Sequence, residues 1–119
     1  MKNTPTFVTI ISITSKAEEL GREHSQNRVY TVGVLAGHTP EQTLEIAWNH
    51  TNLDNRPLGR QVCSSSVGDI FILNGEHWFC DSSGFVKITP EQSIQVQNLT
   101  SRDTLFGWSW LVEKGLVKA

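Results

Sequence analysis

The chain has 119 residues, 38% of them hydrophobic and 18% charged. That is the size of one domain with enough apolar residues to bury a core, which excludes a wholly disordered chain. Twelve acids against ten Lys and Arg leave a net charge of −2, so no bulk field draws the protein to phosphate backbones.

The N-terminal stretch MKNTPTFVTIISIT carries one lysine and a short apolar run, Phe7 to Ile13. Thr9 and Ser12 interrupt the run, which is too short for a signal peptide or a membrane span. It reads as a β-strand, being β-branched and partly alternating. The two Asn-x-Thr triplets, at Asn49 and Asn98, read as chance without a secretory signal. SKAEELGREHSQN, residues 15–27, is polar and reads as a long loop with one possible helical turn. RVYTVGVLA, Arg28 to Ala36, has apolar residues on both faces and reads as a central strand.

Thr39-Pro40-Glu41-Gln42 is a helix start. Thr39 caps, Pro40 suits the first helical position, and Gln42 can reach back as in a capping box. Leu44, Ala47, Trp48 and Thr51 share one stripe, with Ile46 beside it, and the helix should end near Asn52. NLDNRPLG then reads as a loop. The same tetrapeptide recurs as Thr89-Pro90-Glu91-Gln92. There SIQVQ follows, with Ile94 and Val96 alternating with glutamines, and the alternation predicts a strand. A shared tetrapeptide is not a duplication. In the tail, Thr100 or Ser101 can cap a helix over about 101–114, with Asp103 in its first turn, Lys114 in its last and Gly115 as its stop. Leu105, Trp108, Leu111 and Val112 form its packing stripe; Phe106 and Trp110 lie off it.

Between these helices lies SSSVGDIFILNGEHWFCDSSGF, Ser64 to Phe85. Asn74-Gly75 is a strong signal for a two-residue type I′ hairpin turn. That turn fixes the register: Leu73 faces Glu76, Ile72 faces His77, Phe71 faces Trp78, Ile70 faces Phe79 and Asp69 faces Cys80. One face then holds Ile70, Ile72, His77 and Phe79; the other holds Asp69, Phe71, Leu73, Glu76, Trp78 and Cys80. His77 and Cys80 point to opposite faces, so His-x-x-Cys does not grip one metal here without a bulge. Cys63 and Cys80 do not pair in this register. Two cysteines are no disulfide framework in any case; they fit a reduced compartment and leave a single bridge open. Asp69 beside Cys80 raises the thiol's pKa and disfavours the thiolate. Asp81-Ser82-Ser83-Gly84 reads as a turn into a short strand, Phe85 to Ile88.

TLEIAWNHTN, then Pro57, then SSSVGDIFILNGEHWFCDSSGFVKI resembles a set of small bacterial and phage proteins similar to YodL-like domains of mobile elements. The shared features are an amphipathic helix ending in Thr-Asn, a Ser-x-Ser-Val-Gly-Asp motif, a hairpin, and an aromatic-Cys-x-x-x-Gly-Phe ending. The resemblance covers about Thr43 to Ile88. It implies a fold and a mobile-element setting, and it carries over no catalytic residues.

Sharper chemistries find little support. His24, His38, His50, His77, Cys63 and Cys80 show no zinc spacing. There is no Gly-x-Ser-x-Gly elbow and no phosphate-binding glycine pattern. Arg22, Arg28, Arg56, Arg60 and Arg102 form no basic run, so a nucleic-acid role is weakly supported. Phe106 and Trp110, with Trp78 on the hairpin, are the candidate interaction residues; a sheet covered by helices on both faces is the competing explanation for so many apolar positions.

The sequence therefore predicts a single α+β domain over residues 1–119: a mostly antiparallel sheet of five or six strands with two main helices packed on it. The expected function is a non-enzymatic, cytoplasmic accessory protein of a phage, plasmid or other mobile element that binds a protein partner or itself, with no cofactor, metal or membrane. The alternatives are a small enzyme or ligand-binding domain with a polar site at Asp69, His77 and Cys80, and a nucleic-acid-associated protein.

Overall fold

The structure, a computed structural model, describes residues 5–13, 28–52, 67–99 and 101–119. The loop expected over 15–27, Cys63, His24, Arg22, Arg56 and Arg60 lie outside the described residues.

The elements run β1 (Pro5–Ser12), β2 (Arg28–Leu35), α1 (Pro40–Asn52), β3 (Ile70–Leu73), β4 (Glu76–Asp81), β5 (Gly84–Ile88), α2 (Pro90–Gln97), α3 (Ser101–Thr104) and α4 (Trp108–Glu113). The strands form one sheet in the order β2-β1-β3-β4-β5, with every neighbouring pair antiparallel. This is the α+β architecture the pattern implies. The strand read as central, β2, is the sheet's edge among the described residues. Its apolar residues on both faces reflect different surroundings: Val32 and Val34 are buried, whereas Val29 and Leu35 are exposed.

The β3–β4 hairpin has the register set by its turn, Ile70 opposite Phe79 through Leu73 opposite Glu76. Asn74 and Gly75 both take positive φ, 52° and 79°, as a type I′ turn needs. Both faces of the hairpin are covered. On one side Val8, Ile10, Val32, Val34, Phe71, Leu73, Trp78 and Cys80 pack with Leu44 and Ala47 of α1. On the other, Ile11, Ile13, Ile70, Phe79 and Ile88 pack with Val96, Leu111 and Val117. Two cores with a sheet between them explain why strands β1, β3 and β4 carry apolar residues on both faces.

Both Thr-Pro-Glu-Gln copies start helices, and here the strand expected for SIQVQ is corrected. Gln42 N–H donates to Thr39 Oγ1 (3.2 Å) and Thr39 N–H donates to Gln42 Oε1 (3.0 Å). Gln92 and Thr89 repeat the exchange at 3.1 and 2.8 Å. In α2 the buried residues are Ser93 and Val96, a spacing of three, while Ile94 points outward. The Ile94/Val96 alternation was therefore not the pattern that mattered: the cap fixes the backbone before the apolar spacing does. Gln92 is also used twice. Its Nε2 donates to the Lys118 carbonyl (2.9 Å), and Lys118 N–H donates to Gln95 Oε1 (2.9 Å), which holds the C-terminal residues along α2.

The single helix expected over 101–114 is likewise two short ones. The break at Leu105–Gly107 lies where the Asp81 carboxylate approaches the backbone; a β-carbon at position 107 would sit 2.9 Å from Asp81 Oδ1. With helical phase lost there, Leu105 leaves the packing stripe and is exposed, while Leu111 stays fully buried. Among the described residues no helix is long and apolar enough to cross a membrane.

Candidate functional site

The Val67-Gly68-Asp69 part of the Ser-Val-Gly-Asp motif is a clasp between four parts of the chain. Gly68 N–H donates to the Cys80 carbonyl (2.8 Å) and Cys80 N–H donates to the Asp69 carbonyl (2.9 Å), so the hairpin ladder continues past β3. Asp69 Oδ1 accepts the Ile13 N–H at 2.9 Å, which ties down the end of β1. A side chain at position 68 would overlap that of Thr104, so α3 rests on the glycine itself. The motif is thus occupied with folding.

Asp69 is buried and hydrogen-bonded, Cys80 is buried on the α1 side, and His77 lies on the other side, opposite Ile72 and Ile88. The three do not converge. Burial, with the Asp69 and Asp81 carboxylates adding to it, pushes the Cys80 thiol up from 9.0 to about 12. At neutral pH it is protonated and a poor nucleophile. Since the folded state holds this proton more tightly than the unfolded chain, stability is unaffected below pH 9.0 and falls as pH rises toward 12. The expected slope from this group is up to about 1.4 kcal/mol per pH unit. Urea denaturation at several alkaline pH values should show the fall, and Cys80→Ala should remove it; an equal fall in both proteins would exclude Cys80 as its source. Among the described residues no group of His, Cys, Asp and Glu is arranged to hold a metal ion.

Two other features come together at this end of the sheet. The first is a groove of about 640 Å³ between α1 and the β4–β5 turn. Glu41, Glu45 and Trp48, one stripe of α1 at spacings of four and three, form one wall; Asp81, Phe85 and the intervening turn form the other. Trp48 and Phe85 rest on the α1-side core, and the Phe85 ring meets Phe71 edge-on at 5.0 Å. Asp81 also accepts the Ser82 N–H at 2.9 Å, which shapes the turn.

The second is an aromatic pair. Phe106 is 62% exposed and stacks on Trp110 with ring centroids 4.4 Å apart and 26° between planes. Trp110 is half-buried against the α2–α4 core, and Leu105 beside Phe106 is 55% exposed. Trp108, by contrast, turns inward to Phe79 at 5.2 Å. Asp81 lies between the two features, lining the groove, with its carboxylate on the side of Gly107 where a β-carbon would stand. Trp78, the third candidate interaction residue, is corrected: it is buried in the α1-side core, because strand β4 is covered on both faces.

The sequence reading placed Phe106 and Trp110 off the packing stripe; Phe106 is exposed, whereas Trp110 is half-buried against the α2–α4 core. It did not single out the groove. The spacing of Glu41, Glu45 and Trp48 was the available signal, but its opposite wall lies some forty residues further along the chain. Comparison with protein-family models, curated proteins and solved structures finds no match.

Proposed function

We propose that the chain is a non-enzymatic binding protein that docks a protein partner on the Phe106–Trp110 pair. One observation carries this reading: a large aromatic ring, more than half exposed, is held in a fixed stack outside both cores. A phenylalanine in that position gives the monomer little burial, and adjacent exposed aromatic and aliphatic residues are the usual centre of a protein interface. The polar residues near the hairpin give no competing catalytic constellation, since Asp69 is engaged and Cys80 and His77 face apart. A setting in a phage, plasmid or other mobile element rests on the resemblance over Thr43–Ile88 alone.

Phe106→Asp is the informative variant, because Trp110 also supports the core and its loss would disturb folding. Affinity purification of the tagged protein from its native host should recover one partner in stoichiometric amount, and Phe106→Asp should lose it at unchanged melting temperature. Sedimentation of the purified protein identifies the partner as a second copy if Phe106→Asp abolishes a dimer. A partner retained by the variant would sink the assignment.

A further inference from the structure

We propose that the edge strand β2 is a self-association surface, pairing antiparallel with β2 of a second copy about a two-fold axis at Val32. This goes beyond the reading above, because it uses a different face of the molecule.

The two edges of the sheet are built differently. β5 has five residues, carries Lys87 in an ion pair with Glu76, and runs into the helix that starts at Pro90. A short strand with a lysine is a usual protection against strand addition. β2 has eight residues matched one to one with β1, so no bulge twists it away. After Arg28 it holds no charged residue, and it holds no proline. Among the described residues it pairs with β1 alone. Alternate N–H and C=O groups of such a strand point away from the sheet. One face of β2 is also open to solvent along its length. Val29 is 61% exposed and Leu35 is 67% exposed, with Thr31 and Gly33 exposed between them. Phe7, opposite Gly33 on β1, is 61% exposed on the same face. The core beneath α2–α4 takes in Ile11 and Ile13 of this face but not Phe7.

Complementarity identifies the occupant as a second copy. With Val32 opposite its own equivalent, Val29 faces Leu35 of the other copy at each end, and Thr31 faces Gly33. Apolar pairs meet and no like charges stand opposite one another. At the Leu35 end lies a cleft of about 300 Å³, with Phe7, Gly33, Leu35 and Ile46 among its lining residues. Val29 of the other copy arrives beside Leu35 and so at this cleft. The two-fold axis repeats the contact: each copy supplies one projecting valine and one apolar recess, and the pairing closes as a dimer. Size sets its strength. Eight residues span about 27 Å and the slab of a sheet is about 10 Å thick, which gives roughly 270 Å² per copy. A lasting complex buries roughly 800 Å² per partner, so this dimer is reversible and concentration-dependent.

Sedimentation equilibrium of the full chain tests the pairing. The wild type should pass from monomer to dimer as concentration rises. Val29→Lys and Leu35→Glu, each at an exposed position, should weaken the dimer at least about tenfold at unchanged melting temperature. Mixing these two variants should restore it, because a mixed dimer sets the introduced lysine of one chain opposite the introduced glutamate of the other. A wild type that stays monomeric up to about 1 mM, or mixed variants that stay apart, would overturn the proposal. Hydrogen exchange along β2 that is the same in dilute and concentrated protein would overturn it as well. Phe106→Asp should keep the dimer; a dimer lost in that variant and kept in Val29→Lys would overturn the β2 surface in favour of the aromatic pair. Failure at β2 with partner capture intact leaves the Phe106–Trp110 reading standing, and failure of that reading leaves the β2 dimer.

Discussion

Gly68→Ala should destabilise the protein by about 4 kcal/mol, from overpacking of about 1–3 kcal/mol and backbone strain of about 1–3 kcal/mol. Gly68 has φ +101°, a conformation that side chains adopt at a cost. It also faces Thr104 so closely that a β-carbon would overlap the threonine hydroxyl and β-carbon and approach the Thr104 carbonyl carbon to 3.1 Å. Thr104 is fully buried, so it has no open space to move into. Thr104→Gly removes the side-chain part of the overlap. The double variant should therefore be more stable than the sum of the two single losses predicts, with a coupling of roughly 1–2 kcal/mol read from urea denaturation. Strict additivity would show that the cost of Gly68→Ala does not come from the Thr104 side chain. For a domain whose total stability is about 5–15 kcal/mol, the single change removes a large part of it. This is the strongest physical reason for glycine in the Ser-Val-Gly-Asp motif.

Phe79→Ala should cost about 3–5 kcal/mol, the usual range for deleting a fully buried phenylalanine. Phe79 is wholly inaccessible, sits on β4 at the centre of the core beneath α2–α4, and its ring is 5.2 Å from that of Trp108. Removing it leaves a void that Ile70, Val96 and Leu111 fill only in part, since each is held by its own element. Phe106→Ala is the matched comparison. The same side chain, 62% exposed, should change the unfolding free energy by about 0.5 kcal/mol or less when truncated. A small effect at both positions would mean that the second core is not formed as described. A large effect at Phe106 would mean that its ring serves folding, and the functional reading of the pair would lose its basis. The contrast separates what phenylalanine does for this fold from what it offers to a partner.

The sequence by itself determined the elements whose cause lies within a few residues. Asn74-Gly75 set the hairpin turn and with it the pairing of Ile70 to Leu73 with Glu76 to Phe79. Thr39, Pro40 and Gln42 set the start of α1. The parity of a strand placed His77 and Cys80 on opposite faces. The same local chemistry was present at Thr89-Pro90-Glu91-Gln92, where Ile94 and Val96 in alternation outweighed it in the reading; the cap, the inward Ser93 and Val96, and the anchoring of Lys118 show that the helix signal was the stronger one.

Tertiary structure decided everything that joins distant positions. The break of the C-terminal helix comes where the Asp81 carboxylate occupies the space a β-carbon at Gly107 would need, an approach that neither segment announces alone. β2 is an edge among the described residues because it pairs there with β1 alone. The fate of each tryptophan followed from which face its element was given: Trp78 and Trp108 pack inward, Trp110 supports Phe106 at the surface, and Trp48 walls the groove. Periodicity tells that a residue is apolar and on which side of its own element it stands. Whether that side meets a core, a groove or water depends on what the rest of the chain brings against it.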